Sequence, residues 1–172
     1  MGEVRIVRAG LDRVEELGPL WRSLQEHHHA IGADVPGIPL RDPEDSWVRR
    51  RAEYLDWLAE PGSFTLIAED ESRAVGYAFV TVHEPGDDTH VTRERLAELK
   101  SLVVLPDRRG AGLGTRLLET VFVELRAVGI RELLIGVLAA NGEAARLYER
   151  YGFRPWHVEY LGTIPDDPQT HS

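Results

Sequence analysis

Apolar and polar residues alternate along Val4-Arg5-Ile6-Val7-Arg8, the period of a strand with one buried face. From Leu11 to about Ala30 the period lengthens. Leu11, Val14, Leu17, Leu20, Trp21 and Leu24 recur at three and four, predicting an amphipathic helix with a break near Gly18-Pro19. Residues 31–43 are rich in Pro and Gly and predict a loop. A second helix follows from about Pro43 to Ala59, with Trp47, Tyr54, Leu55 and Leu58 directed at a core. Phe64–Ala68 and Ala74–Val82 read as two strands joined by a tight turn at Glu69–Arg73. Glu98–Leu105 ends in a run apolar on both faces, as in a strand covered on both sides. Leu113, Leu117, Leu118, Val121, Phe122, Leu125 and Val128 form one stripe of a helix spanning Gly112 to Val128. Leu133–Leu138 predicts a further buried strand, Asn141–Tyr151 a helix and Trp156–Gly162 a last strand.

Antiparallel runs followed by a βαβ unit predict an α/β fold, with a mixed, mostly antiparallel central sheet flanked by helices. At 172 residues the chain has one domain's length; residues 1–164 are expected to form it, with 165–172 a mobile tail. Composition narrows the function. A net charge of −9 argues against binding nucleic acid or an anionic membrane surface through general positive charge. The absence of cysteine excludes disulfides, thiolate metal sites and a thiol nucleophile. No apolar run reaches the ~18 residues of a membrane span, and Met1-Gly2-Glu3-Val4-Arg5 has no leader-like apolar stretch, so a cytoplasmic domain is expected. Lys100 is the sole lysine, and the chain lacks the Gly-Lys-Ser/Thr run of a P-loop. His27-His28-His29 lacks the i, i+4 spacing of a helical metal pair, and no metal is expected.

The densest chemical signal is Leu102-Val103-Val104-Leu105-Pro106-Asp107-Arg108-Arg109-Gly110-Ala111-Gly112-Leu113-Gly114-Thr115. A buried strand ends, Pro106 stops its ladder, three alternate glycines follow and an amphipathic helix begins. Glycines admit a ligand close to the backbone, and the free N–H groups at the helix start favour an anion, usually phosphate. Between Leu99 and Arg116 four basic residues face Asp107 alone, in a chain that is otherwise acidic. The dinucleotide pattern G-x-G-x-x-G fails, because it would require glycine at Thr115. A turn that only packs helix against strand would use the same glycines; the flanking arginines favour an anion site.

Read as Leu-x-Val-x-Pro-x-x-Arg-Gly-x-Gly-x-Gly, residues 102–114 resemble the acetyl-CoA-binding signature of the GNAT superfamily of N-acetyltransferases. Its core, Arg/Gln-x-x-Gly-x-Gly/Ala, is matched by Arg109, Gly112 and Gly114. Asn141-Gly142-Glu143-Ala144-Ala145-Arg146-Leu147-Tyr148-Glu149-Arg150-Tyr151-Gly152-Phe153 is similar to the family's later motif, at a distance that admits one helix and one strand. The resemblance implies a GNAT-like fold whose central strand pair splays to form the acetyl-CoA cleft. It implies that Leu102, Val103 and Val104 meet the pantetheine arm, and that the segment Arg108, Arg109, Gly110, Ala111, Gly112, Leu113, Gly114 and Thr115 cradles the pyrophosphate. Asn141, Ala144 and Tyr148 would line the other wall.

On that resemblance the chain moves an acetyl group from acetyl-CoA to a primary amine by direct attack in a ternary complex, with no metal. The acceptor is a small molecule or a peptide. Tyr148 is the expected proton donor to the departing thiolate, its alternative being a core aromatic on the Ala144, Leu147, Tyr151 stripe. Glu98, eleven positions before Arg109, is the candidate base; otherwise it is a strand-edge glutamate paired with Lys100. Glu84 and Asp88 are weaker alternatives. The acidic run Glu84–Glu98 would favour a cationic acceptor if it lines the mouth. Trp21, the histidines and Trp47 fall in the region that shapes the acceptor pocket in the family. Two other readings stay open: a CoA-binding module without turnover, and generic nucleotide binding at the glycine turn. Homodimers are common in the family.

Overall fold

A computed structural model of the chain describes residues 3–71, 73–85 and 89–165. Five strands form one sheet: β1 (Arg5–Ala9), β2 (Phe64–Asp70), β3 (Arg73–His83), β4 (Leu96–Val104) and β5 (Leu133–Ile135), in spatial order β1-β2-β3-β4-β5. The first four are antiparallel to their neighbours and only β4 and β5 are parallel. The crossover between those two is α3 (Leu113–Ala127), as a parallel pair requires. Two helices, α1 (Leu17–Ala30) and α2 (Pro43–Ala59), precede the sheet's middle strands, and α4 (Gly142–Arg150) follows β5.

Local chemistry sets these boundaries. Asp42 accepts a hydrogen bond from the Glu44 N–H at 2.9 Å, and Pro43 occupies the first turn, so α2 starts there. Asn141 caps α4 in the same way, accepting from the Ala144 N–H at 3.2 Å. The predicted first helix divides one position earlier than Gly18-Pro19: Leu11–Glu16 is a 3-10 helix and α1 begins at Leu17.

The sheet separates two apolar layers. On one face α3 and Tyr148 of α4 cover Leu66, Ala68, Val75, Ala78, Val80, Ala97 and Leu99. On the other, α1 and α2 cover Ile67, Tyr77, Phe79 and Val103, with Trp21, Trp47 and Tyr54 at the centre. Each strand serves both layers through alternation of its side chains.

Three sequence expectations are corrected. The buried strand expected over Leu133–Leu138 is confined to Leu133–Ile135, which is half-buried, and Val137 and Leu138 are exposed. Val128 does not join the buried stripe of α3; it lies beyond the last helical turn and is 56% exposed. Trp156–Gly162 belongs to no strand among the described residues, and Trp156, Val158, Tyr160 and Leu161 are exposed. Alternation marks a segment able to pair, but pairing needs a partner edge, and β5 is three residues long. Of the expected tail, residues 166–172 lie outside the described residues, as does Asp88.

Candidate active site

The parallel pairing of β4 and β5 is brief. It comprises Ala97↔Leu133, Glu98↔Leu134 and Leu99↔Ile135. β4 runs on to Val104 against β3, whereas the chain after Ile135 continues as the exposed stretch Gly136–Ala140 towards the cap of α4. From Lys100 to Val104, β4 therefore has a strand on one edge only among the described residues. A strand edge of this kind presents backbone N–H and C=O groups to an extended ligand.

At the end of that edge the chain turns through Pro106–Arg108 into the glycine run. Gly110 and Gly112 both have positive φ, +77° and +78°, which β-carbon-bearing residues rarely adopt. A Cβ placed on either would meet nothing within 4 Å, so the space beside the turn is open. No side chain caps α3: its first N–H groups point out of the helix start without a capping partner. An uncapped helix start flanked by open glycines offers N–H donors and the positive end of the helix dipole to an anion.

Each arginine of the turn has a separate task. The Arg109 Nε donates to the Val104 carbonyl at 3.0 Å, bracing the turn against the strand it leaves. Arg108 pairs with Asp70, at the end of β2, and its side chain is only 24% exposed. Arg73, at the start of β3, pairs with Asp107 at 3.3 Å. Two ion pairs thus tie the turn to the β2–β3 hairpin.

The opposite face of β4 is built differently. Phe79↔Ser101 and Val80↔Leu99 are register partners, so Lys100 is an extra residue on β4, a bulge. The bulge puts Glu98 and Lys100 on the face towards α2. There the Lys100 Nζ lies 2.7 Å from a Glu98 carboxylate oxygen and 4.9 Å from the Trp57 ring centre. Arg50 sits above Trp21, Tyr54 and Trp57 at 4.4, 5.6 and 5.3 Å, within cation–π range. Beneath them the Tyr54 hydroxyl hydrogen-bonds the Tyr77 hydroxyl at 2.9 Å and the Ser101 Oγ at 2.7 Å. Burial pushes the Tyr54 phenol up to about 12, so this network is neutral at physiological pH.

The acetyltransferase (GNAT) family model matches residues 33–153, which include the split strand pair, the glycine turn and α4. The chain belongs to this family. It is 31% identical over 151 residues to a mycothiol acetyltransferase of Geodermatophilus obscurus, covering 88% of this chain and 44% of that protein. A mycothiol acetyltransferase of Actinosynnema mirum is 32% identical over 174 residues, covering 88% and 56%. The chain thus spans about half the length of these relatives. Among solved structures, a GCN5-related N-acetyltransferase from Ralstonia eutropha superposes with a TM-score of 0.72 at 19% identity, covering 94% of this chain and 99% of that one. An acetyltransferase from Clostridium acetobutylicum, solved with acetyl-CoA, gives 0.70 at 17% identity, covering 94% and 96%. These likenesses are in the fold.

The expected residues of this GNAT chain fall into three groups. Leu102, Val103 and Val104 lie along the free stretch of β4, with Leu102 and Val104 on the α3 face and Val103 in the opposite core. Arg109, Gly110, Ala111, Gly112, Leu113, Gly114 and Thr115 form the turn and helix start, whereas Arg108 is drawn to Asp70. Asn141, Ala144 and Tyr148 lie on α4; Asn141 spends its side-chain oxygen on the cap. The Tyr148 ring is packed in the α3-side core at 8% exposure, and desolvation pushes its phenol up to about 12. Trp21 and Trp47 are core residues, each 5% exposed. Trp57 and Arg50 are the ones that meet Lys100 and its surroundings. Arg50, Tyr54 and Trp57 recur at i, i+4 and i+7, a signal in the sequence that marks one helix face. Among the described residues no group of three His, Cys, Asp or Glu converges as a metal site.

Proposed function

We propose that this chain catalyses transfer of an acetyl group from acetyl-CoA to a primary amine. The observation that carries the reading is the parting of β4 from β5 after Leu99, with an uncapped, open helix start directly at the end of the freed edge. The residues present fit a CoA thioester. The N–H groups from Gly110 to Thr115 suit a pyrophosphate, and the backbone of Lys100–Val104 suits the amide-bearing arm. The mycothiol acetyltransferase relatives and the aminoglycoside N-acetyltransferase solved with CoA support both the cosubstrate and a small-molecule amine acceptor.

Three chemical demands follow. The acceptor must lose a proton, because an alkylammonium has a pKa of about 10. Glu98 meets this from the α2 face of β4, directly or through water. The thioester carbonyl must gain negative charge, which N–H groups on the freed edge of β4 stabilise. The thiolate must leave, and Tyr148 donates to it from the α3 face. With its phenol at about 12, Tyr148 stays protonated across the working pH range. It is a weaker acid than a thiol of pKa about 8.5, so its part is a hydrogen bond that stabilises the departing thiolate, while the proton the thiol finally carries comes from the attacking nitrogen. Donor and acceptor thereby meet through the gap from opposite faces of the sheet, and proximity supplies much of the remaining acceleration.

The test is thiol release from acetyl-CoA across a panel of amines, beside thermal unfolding with acetyl-CoA. Turnover with at least one small amine and a raised Tm are expected. No rise in Tm at millimolar acetyl-CoA would overturn the reading. A raised Tm with no turnover on any amine would instead mark a binding module.

A further inference from the structure

Lys100 is the only lysine of the chain, and it lies where β4 parts from β5. It is the first residue of β4 beyond the last β4–β5 pair, and the bulge leaves it opposite no residue of β3. Its side chain is 23% exposed, neither sealed in a core nor free in solvent. Its Nζ is 2.7 Å from the carboxylate proposed above as base, and Trp57 covers it at 4.9 Å. A carboxylate with an aromatic ring is a set that recognises an ammonium group. Glu98 and Trp57 hold the ammonium group of the chain's own side chain in this way.

We propose that Lys100 is a self-acetylation site: the chain transfers the acetyl group of acetyl-CoA to its own Lys100 Nζ. This rests on the acetyl-transfer reading. Lys100 starts as an ammonium, and its first proton passes to Glu98 and on to solvent. The freed lone pair forms the N–C bond to the thioester carbonyl carbon, and the C–S bond breaks. The second nitrogen proton leaves with the sulfur, giving CoA thiol and acetyl-Lys100. The product is neutral, so Glu98 loses its ion-pair partner and is left to receive an amine from outside. Self-acetylation would therefore switch the α2 face from a closed ion pair to an open carboxylate.

The experiment incubates the full chain with acetyl-CoA and follows intact mass with peptide mapping, which separates Lys100 from the N-terminal amine. One acetyl group on Lys100 is expected, forming about tenfold or more faster than on the urea-unfolded chain because the fold holds amine and thioester together. The Gly112→Val chain, with its cosubstrate site blocked, should acetylate no faster than the unfolded chain. Lys100→Arg should still show the acetyl-CoA-induced rise in Tm while carrying no acetyl group in that peptide. A raised Tm with Lys100 unmodified after prolonged incubation would overturn the proposal and leave the acetyl-CoA reading standing. Equal labelling of folded and unfolded chains would overturn it too, as uncatalysed chemistry. The absence of any Tm rise would instead remove the acetyl-transfer reading itself.

Discussion

The two faces of β4 are built from the same strand and do opposite things. Towards α3 and α4, Ala97 and Leu99 are sealed in the core, but beyond them Leu102 and Val104 are only half-buried, and the turn that follows is open. Towards α1 and α2, Ser101 and Val103 are buried under Tyr54, and the polar pair Glu98–Lys100 is the part left accessible. The inversion occurs at the bulge, where one extra residue changes which side chains face which layer. A single strand thereby presents half-buried apolar residues and an open glycine turn on one side and a charged pair on the other. One strand, freed along part of its edge, can thus separate two unlike surroundings. A depression of about 160 Å³ lies at the C-terminal end of α3, on the α3 face of the sheet, lined by Phe122, Leu125, Ile130, Leu133 and Phe153.

Four substitutions break or sharpen this contrast. The largest effect is expected from Gly112→Val on the α3 side. The change puts a branched side chain into the open space at a φ of +78° and lowers acetyl-CoA affinity on the order of a thousandfold, about 4 kcal/mol. Titration calorimetry checks it, and retained affinity would show that the turn is not the cosubstrate site. Next, Tyr148→Phe keeps the buried ring and removes only the hydroxyl, so kcat should fall about a hundredfold with the KM for acetyl-CoA unchanged. Because the phenol sits at about 12, the wild-type rate should show no loss from Tyr148 ionisation below about pH 11. An equal fall in affinity would make Tyr148 a packing residue.

Asp70→Asn tests whether the hairpin holds the glycine turn in place. It leaves Arg108 half-enclosed without its carboxylate. The expected loss is about 2 kcal/mol of stability by urea unfolding, less than for a fully buried pair because Arg108 retains 24% exposure. Unchanged unfolding would mean that the pair is dispensable. The smallest effect lies in α1, on the other face. Burial, then His27 and His29, push the His28 imidazole down to about 4. As pH falls from about 6.5 towards 4, the unfolded chain takes up this proton before the folded one does. Stability is therefore lost across that window and regained as pH rises, by about 1 kcal/mol after allowance for solvent. His28→Gln should flatten that part of the stability curve; an unchanged curve would assign the pH dependence to other groups.

Much of the fold was legible because it rests on local rules. The α2 boundaries follow from Asp42-Pro43 at one end and Pro61 beyond the other, and the stripe of α3 follows from its period of three and four. The strand–turn–helix geometry was legible for the same reason: glycines, proline and a helix start act within a dozen residues. The bulge at Lys100 was not legible, since it exists only as a mismatch in register with β3. Nor was the fate of Arg108. In sequence it adjoins Arg109 and reads as a second phosphate ligand, but its partner Asp70 lies 38 positions away. Trp156–Gly162 shows the converse, a period-two pattern for which the structure supplies no partner strand among the described residues.

Hydrophobic period, caps and breakers determined by themselves the helices and the first four strands, because those preferences act over a few bonds. The order of segments, with one helix between β4 and β5, also made that pair parallel. Where β4 and β5 part, which face Glu98 and Lys100 share, and which arginine of the turn is drawn to Asp70 were decided by tertiary packing alone. Each depends on the position of a group distant in the chain, and through-space contacts of that kind leave no local periodicity to read.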